Sequence, residues 1–300
     1  MKKKILLALS FLAVIGLSIG GTVAYFTAQD TDVNTFTYGK VAIEQLQYER
    51  AVDANGNWIS TGVKDKYGFI PDKVVPYENN KQLVPAVFTT EDGNIHWDLR
   101  VDGIEKHELG AHNQSWSEIG APGSQQLFDK TAKNVHDNFV FVKNTGSTDA
   151  YVRTCFAFEQ GDILKENYQN VIMKNTNKAH WSWSEFEYNV TIYDDNNQGN
   201  DYVVTCATYL GAGSKGKNGI LASGETSYAS LLQFYMHPKA TQEDVELLDG
   251  NNNGQFDILV ATQAVQVDGF KGLYNTGLED ANNAFEKAFE NKLPFKTEIE

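Results

Sequence analysis

Between positions 185 and 193 the chain runs EFEYNVTIY, in which Phe186, Tyr188, Val190 and Ile192 alternate with Glu185, Glu187, Asn189 and Thr191. A period of two sends alternate side chains to opposite faces, so this segment predicts a strand with one buried face and one wet face. Runs of similar length recur at 41–48, 139–143, 150–158, 202–210, 228–236 and 256–267. Turn formers separate them, among them Asn144-Thr145-Gly146 and the polar stretch from Asp194 to Gly199. Short strands punctuated in this way predict an all-β domain. Helix is scarce: residues 278–292 place Leu278, Ala281, Phe285, Ala288 and Phe289 on one helical face, and 163–173 is a second, shorter expectation.

Residues 50–125 break the rhythm. They are rich in Gly, Asp and Asn, with Trp58, Tyr67, Phe69, Tyr77, Trp97 and Trp116 scattered through them and no clean period. An insertion flanked by two sheet-forming halves predicts a jelly-roll type of β-sandwich over 39–300, with a long loop-rich insertion and a few short helices.

The chain opens with Lys2, Lys3 and Lys4, followed by an uncharged run from Ile5 to Ile19. A membrane-crossing helix needs about 20 apolar residues, whereas a secretory signal has a core of roughly 7–15 followed by small residues at a cleavage site. Gly20-Gly21 and Thr22-Val23-Ala24 suit the second, so residues 1–24 are expected to be a signal peptide cut between Ala24 and Tyr25. Three lysines and no acids leave with it, taking the formal charge from -14 to -17. Acid of that density argues against nucleic acid as a partner.

Enzymatic chemistry is hard to find. His107 and His112 are five apart with a glycine between them, whereas a zinc helix needs two histidines four apart on one face. There is no G-x-S-x-G elbow and no P-loop. The two cysteines, Cys155 and Cys206, lie in expected strands and fit either a cross-strand disulfide or two buried thiols. From Asp249 the loop DGNNNGQFDILV places Asp249, Asn251 and Asn253 at alternate positions, Gly254 sixth and Asp257 ninth, like a calcium loop. The twelfth place, where such a loop carries a bidentate glutamate, is Val260. Weak calcium binding at Asp249, Asn251, Asn253 and Asp257 therefore stands beside a plain Asn/Gly turn.

Three blocks carry a family likeness. GTVAYFTAQDTDVNTFTYGKVAIE, from Gly21, resembles the start of the TasA and camelysin family of exported bacterial matrix proteins. APGSQQLFDKTAKNVHDNFVFVKNTGSTDAYVRTCFAFE, from Ala121 to Glu159, resembles the same family's P-G element, strand, N-x-G-S turn and further strand. AVQVDGF, from Ala264, resembles the closing strand of the clostridial alternate-signal exported proteins, a group that includes the pilus-like biofilm subunit BsaA. The resemblance implies a jelly-roll subunit processed by a dedicated signal peptidase of the SipW type. It further implies assembly into fibres outside a Gram-positive cell or on its surface, with room for a minor fibre subunit as a further partner. The metalloprotease label of camelysin members is not carried over, because the zinc helix is missing.

The residues themselves suggest how assembly would proceed. Cleavage would free an arm, residues 25–38, tipped by Tyr25 and Phe26 and carrying Val33, Phe36 and Tyr38 in a threonine-rich spacer. Phe36 and Tyr38 have one parity and Val41 and Ile43 the other, so Gly39 is expected to be a bulge or hinge between a free arm and an anchored strand. An arm of this kind can complete a neighbour's sheet, and a head-to-tail contact of this kind generates an open homopolymer. The expectation is a non-enzymatic fibre subunit; the alternative is a secreted adhesion or carbohydrate-binding module.

Overall fold

The computed structural model describes residues 41–51, 54, 74–79, 81–88, 132–164, 171–178, 180–211, 216, 218–251 and 253–299. The signal segment, the cleavage site Ala24/Tyr25 and the arm residues Tyr25, Phe26, Val33, Phe36, Tyr38 and Gly39 lie outside them, as does most of 50–125. Among the described residues the chain is mostly antiparallel β-structure with two helices.

In chain order the strands are β1 (Ile43–Arg50), β2 (Val74–Pro76), β3 (Val87–Phe88), β4 (Ala132–Lys133), β5 (Val135–Asp137), β6 (Phe139–Asn144) and β7 (Ala150–Glu159). There follow β8 (Ile172–Thr176), β9 (Trp181–Trp183), β10 (Glu187–Tyr193), β11 (Gly199–Tyr209), β12 (Ile220–Leu221), β13 (Leu231–Met236) and β14 (Ile258–Gln266). Helix α1 (Gln242–Leu248) precedes β14 and α2 (Gly277–Phe289) follows it.

One sheet has β7 at its centre, paired with β14 on one side and with β11 and β12 on the other, while β10 and β9 lie beyond β11. In the other layer β1 lies between β2 and β6. Residues 225–230 run along β6 through Asn144 N–H to Glu225 O, Ser227 N–H to Val142 O and Ser230 N–H to Val140 O, then continue as β13 between β5 and β8.

Alternation decides what lies between the layers. Val140 and Val142 of β6 share a buried cluster with Val152, Phe156 and Phe158 of β7, Val203 and Ala207 of β11 and Ala264 of β14. The other parity of β6, Phe139 and Phe141, packs outward with Leu46, Tyr48 and Val74. On the far side of the β7 sheet, α2 lays Ala281, Ala284 and Phe285 over Tyr151 and Val265. Burying one aromatic side chain of this kind contributes roughly 2–3 kcal/mol. Helix α2 begins at a reciprocal cap: Thr276 Oγ1 accepts the Glu279 N–H at 3.2 Å while Glu279 Oε2 accepts the Thr276 N–H at 3.0 Å.

Two expectations change. The short helix expected at 163–173 meets β8 at its end, since Ile172 and Met173 pair with Met236 and Tyr235 of β13. Phe186 is not on a buried face but 43% exposed. The strand that follows it, β10, is bulged: Asn189 takes φ 56° and the pairing with β11 slips between Glu187 and Val190. Gln160 holds the bulge, donating to Asn189 Oδ1 at 2.7 Å and accepting the Asn189 N–H at 2.8 Å. Phe186 instead covers the Lys174 ammonium, which lies 4.8 Å from its ring centre and 4.6 Å from that of Phe158. Burial pushes that amine down to about 7.

Candidate functional site

Strand β14 reads ILVATQAVQ, nine residues without charge, proline or glycine, pairing with β7 in one unbroken register from Ile258 against Phe158 to Gln266 against Ala150. Its hydrogen-bonding parity follows from its ends. Glu159 N–H donates to Asp257 O and Val267 N–H donates to Asp149 O, so odd-numbered residues bond β7 and even-numbered ones turn their backbone the other way. Among the described residues no strand meets Ile258, Val260, Thr262, Ala264 and Gln266 on that side. Among the described residues the β1 side chain Gln45 reaches them: Gln45 Nε2 donates to Val260 O at 3.4 Å and Gln45 Oε1 accepts from Thr262 Oγ1 at 2.9 Å. Edges of globular sheets ordinarily carry charge, proline or a bulge that discourages a further strand. None of these devices is present in β14.

Beyond Ile258 the space beside this edge opens into a cleft of about 1020 Å³. Leu83, Phe234, Met236 and Phe256 give it apolar walls, and Glu246, Asp249 and Asp257 stand along the side formed by α1 and the following loop. His136 and Asn138 face it from β5 and the β5–β6 junction. Asn138 is 2% exposed, yet among the described residues its Oδ1 has no hydrogen-bond partner, and neither does His136 Nε2. The His136 ring lies 5.4 Å from that of Phe234, and burial, aided by the nearby charge of Lys81, holds its pKa below the ordinary histidine value. Lys81 is itself paired with Glu49 and sits 5.2 Å from the Tyr77 ring centre, while burial and Glu49 push the Tyr77 hydroxyl up to about 12.

The expected calcium residues form a loop that holds itself. Asp249 Oδ1 accepts from the Asn253 N–H at 2.9 Å and Oδ2 from the Gly254 N–H at 2.7 Å; Asn251 Oδ1 takes the Asn253 N–H at 3.0 Å and Asn253 Oδ1 the Gln255 N–H at 2.7 Å. Asp257 stands apart at the entrance to β14, its N–H donating to Glu159 Oε2 at 3.0 Å. Among the described residues no three His, Cys, Asp or Glu side chains are arranged to hold a metal ion. Glu159, outside the sequence pattern, completes an acidic group: burial raises its pKa, and that of Asp257 is raised by burial and by Asp249.

Cys155 and Cys206 are joined in a disulfide on directly paired positions of β7 and β11, with Cα atoms 4.0 Å apart. The Cys206 N–H donates to Ser184 Oγ and its carbonyl accepts from the Ser184 N–H, so both polar groups point away from β7. This is the non-hydrogen-bonded type of antiparallel pair, in which opposed side chains come closest.

Asn144, in the turn that carries much of the family likeness, is fully buried. Its Nδ2 donates to Thr148 O at 2.8 Å and Leu221 O at 3.0 Å, and its Oδ1 accepts the Gly146 N–H at 3.0 Å. It ties the β6–β7 turn to β12, a structural duty. Comparison of the chain with protein-family models, with curated proteins and with solved structures finds no match.

Proposed function

We propose that this chain is a structural, non-enzymatic subunit of an extracellular pilus-like or biofilm-matrix fibre, and that its body is a jelly-roll β-sandwich. In this reading a dedicated signal peptidase cuts between Ala24 and Tyr25, and residues 25–38 of one subunit add themselves to the β14 edge of the next.

The observation that supports it is the backbone of β14: an uncharged nine-residue strand whose outward groups meet Gln45 and no strand among the described residues. An added strand would hydrogen-bond to them at roughly 1 kcal/mol net per bond, so a dozen residues hold firmly while single changes are tolerated. Repeating one such contact head to tail makes a fibre. Electron microscopy of protein beginning at Tyr25, beside protein lacking 25–38, tests the proposal. Filaments from the first and folded monomers from the second are expected, and filaments from both would remove the arm from the mechanism.

A further inference from the structure

The loop between α1 and β14 holds the parts of a self-modifying peptide bond. Asn253 is followed by Gly254, and a glycine, having no side chain, leaves its nitrogen free to approach the carboxamide carbon of the residue before it. Both residues are exposed, and Gly254, at φ 74°, has open space where a Cβ would stand. The Gly254 N–H donates to Asp249 Oδ2 at 2.7 Å, so a carboxylate already holds the hydrogen that an attacking nitrogen must give up. Asn253 Oδ1 accepts the Gln255 N–H at 2.7 Å, a donor on the oxygen that gains negative charge when its carbon is attacked.

Asn218-Gly219 is the same dipeptide in another setting. Asn218 Oδ1 likewise accepts an N–H, from Ile220 at 3.2 Å. The Gly219 N–H, however, donates to Leu210 O at 2.8 Å, a neutral carbonyl that holds the hydrogen without taking it. Gly219 is also buried, and a Cβ there would lie 2.8 Å from Gly277 O. The two sites differ in the base and in the room to move.

We propose that Asn253 is a site of spontaneous deamidation promoted by the Asp249 carboxylate. The Gly254 nitrogen gives its hydrogen to Asp249 and bonds to Asn253 Cγ, and the carboxamide nitrogen takes that proton and leaves as ammonia. Water then opens the cyclic imide at either carbonyl, leaving aspartate or isoaspartate at position 253. Each product adds a negative charge beside Asp249, and isoaspartate also adds a methylene to the main chain that leads into β14. The reaction is independent of fibre formation, since every group it uses lies within this loop.

The test is peptide mapping by mass spectrometry on the full chain beginning at Tyr25, aged at neutral pH with chelator present, folded or in urea. In the folded chain position 253 is expected to lose its amide about tenfold faster than position 218 or more, and in urea the two should react at similar rates. Asp249→Asn keeps an acceptor for the Gly254 N–H but cannot take its proton. It is expected to slow the folded-state loss at 253 about tenfold and to change nothing in urea. A residue that merely shaped the loop would be replaced without that slowing. If Asp249→Asn does not fold, Asp249→Ser carries the same comparison. Equal loss at 253 and 218 in the folded parent, or loss at 253 in the folded variant at the parent rate or faster, would each overturn the assignment.

Discussion

Gln45 and Thr262 lie 217 positions apart, yet the Gln45 carboxamide accepts the Thr262 hydroxyl at 2.9 Å and so ties β1 to the edge of β14. Thr262 also shares a hydrogen bond with Thr154 at 3.0 Å, which leaves a small polar group inside an otherwise apolar interlayer cluster. Gln45→Ala is expected to cost about 1 kcal/mol in denaturant unfolding. Because it also uncovers the Val260 carbonyl, filament growth followed by light scattering should be at least as fast as in the parent. Slower growth would mean that Gln45 helps to build the acceptor.

The disulfide closes a separation of 51 residues between neighbouring strands. Chain-entropy reasoning puts the stabilisation near 4 kcal/mol, with 2–4 typical of measured cases. The double variant Cys155→Ala/Cys206→Ala should lose that amount in denaturant titration and still fold. A loss below about 1 kcal/mol would show that the β7–β11 ladder needs no staple.

Arg50 and Asp137 form a buried ion pair joining β1 to β5, with Arg50 Nη2 donating to Asp137 Oδ1 at 2.6 Å and Gln233 Nε2 to the same oxygen at 2.8 Å. Removing one partner strands a desolvated charge, so Arg50→Met should cost about 3–5 kcal/mol. Replacing both, as Arg50→Met with Asp137→Leu, should recover most of it. A double variant no more stable than the single would contradict this.

Asp257 has a carboxyl pKa raised by burial and by Asp249. A carboxyl whose folded pKa exceeds its unfolded value destabilises the fold above the folded pKa, and that penalty is relieved as pH falls through it. Asp257→Asn should therefore melt higher than the parent at pH 7, with the gap closing in the mildly acidic range. A gap that widens on acidification would reverse the assignment of cause.

Much of the strand framework was legible in the sequence. Runs at 139–143 and 150–158 match β6 and β7 to within a residue, because alternation and flanking turns report burial directly. Helix α2 was legible for the same reason, one apolar face every three to four residues. Helix α1 was not, although Thr241 and Asp244 have capping-box spacing: it buries only Leu248, too little to show a period. The bulge at Asn189 was hidden because a left-handed asparagine leaves the apolar pattern intact while breaking the register. The β14 edge could not be foreseen either, since alternation tells which face a residue takes and not which strand lies beside it. The cleft draws on β5, β13, α1 and the 254–258 loop, segments joined only by folding.

The most direct measurement concerns the outward backbone of β14. Val260→Pro removes an N–H that points away from β7, leaving the β7 ladder complete, and proline is tolerated on the open side of an edge strand. Electron microscopy of this variant, begun at Tyr25 and examined below its own melting temperature, should show folded subunits that do not form filaments. Filaments of normal length and heat resistance from Val260→Pro would contradict strand addition at β14 and place the fibre contact elsewhere on the subunit.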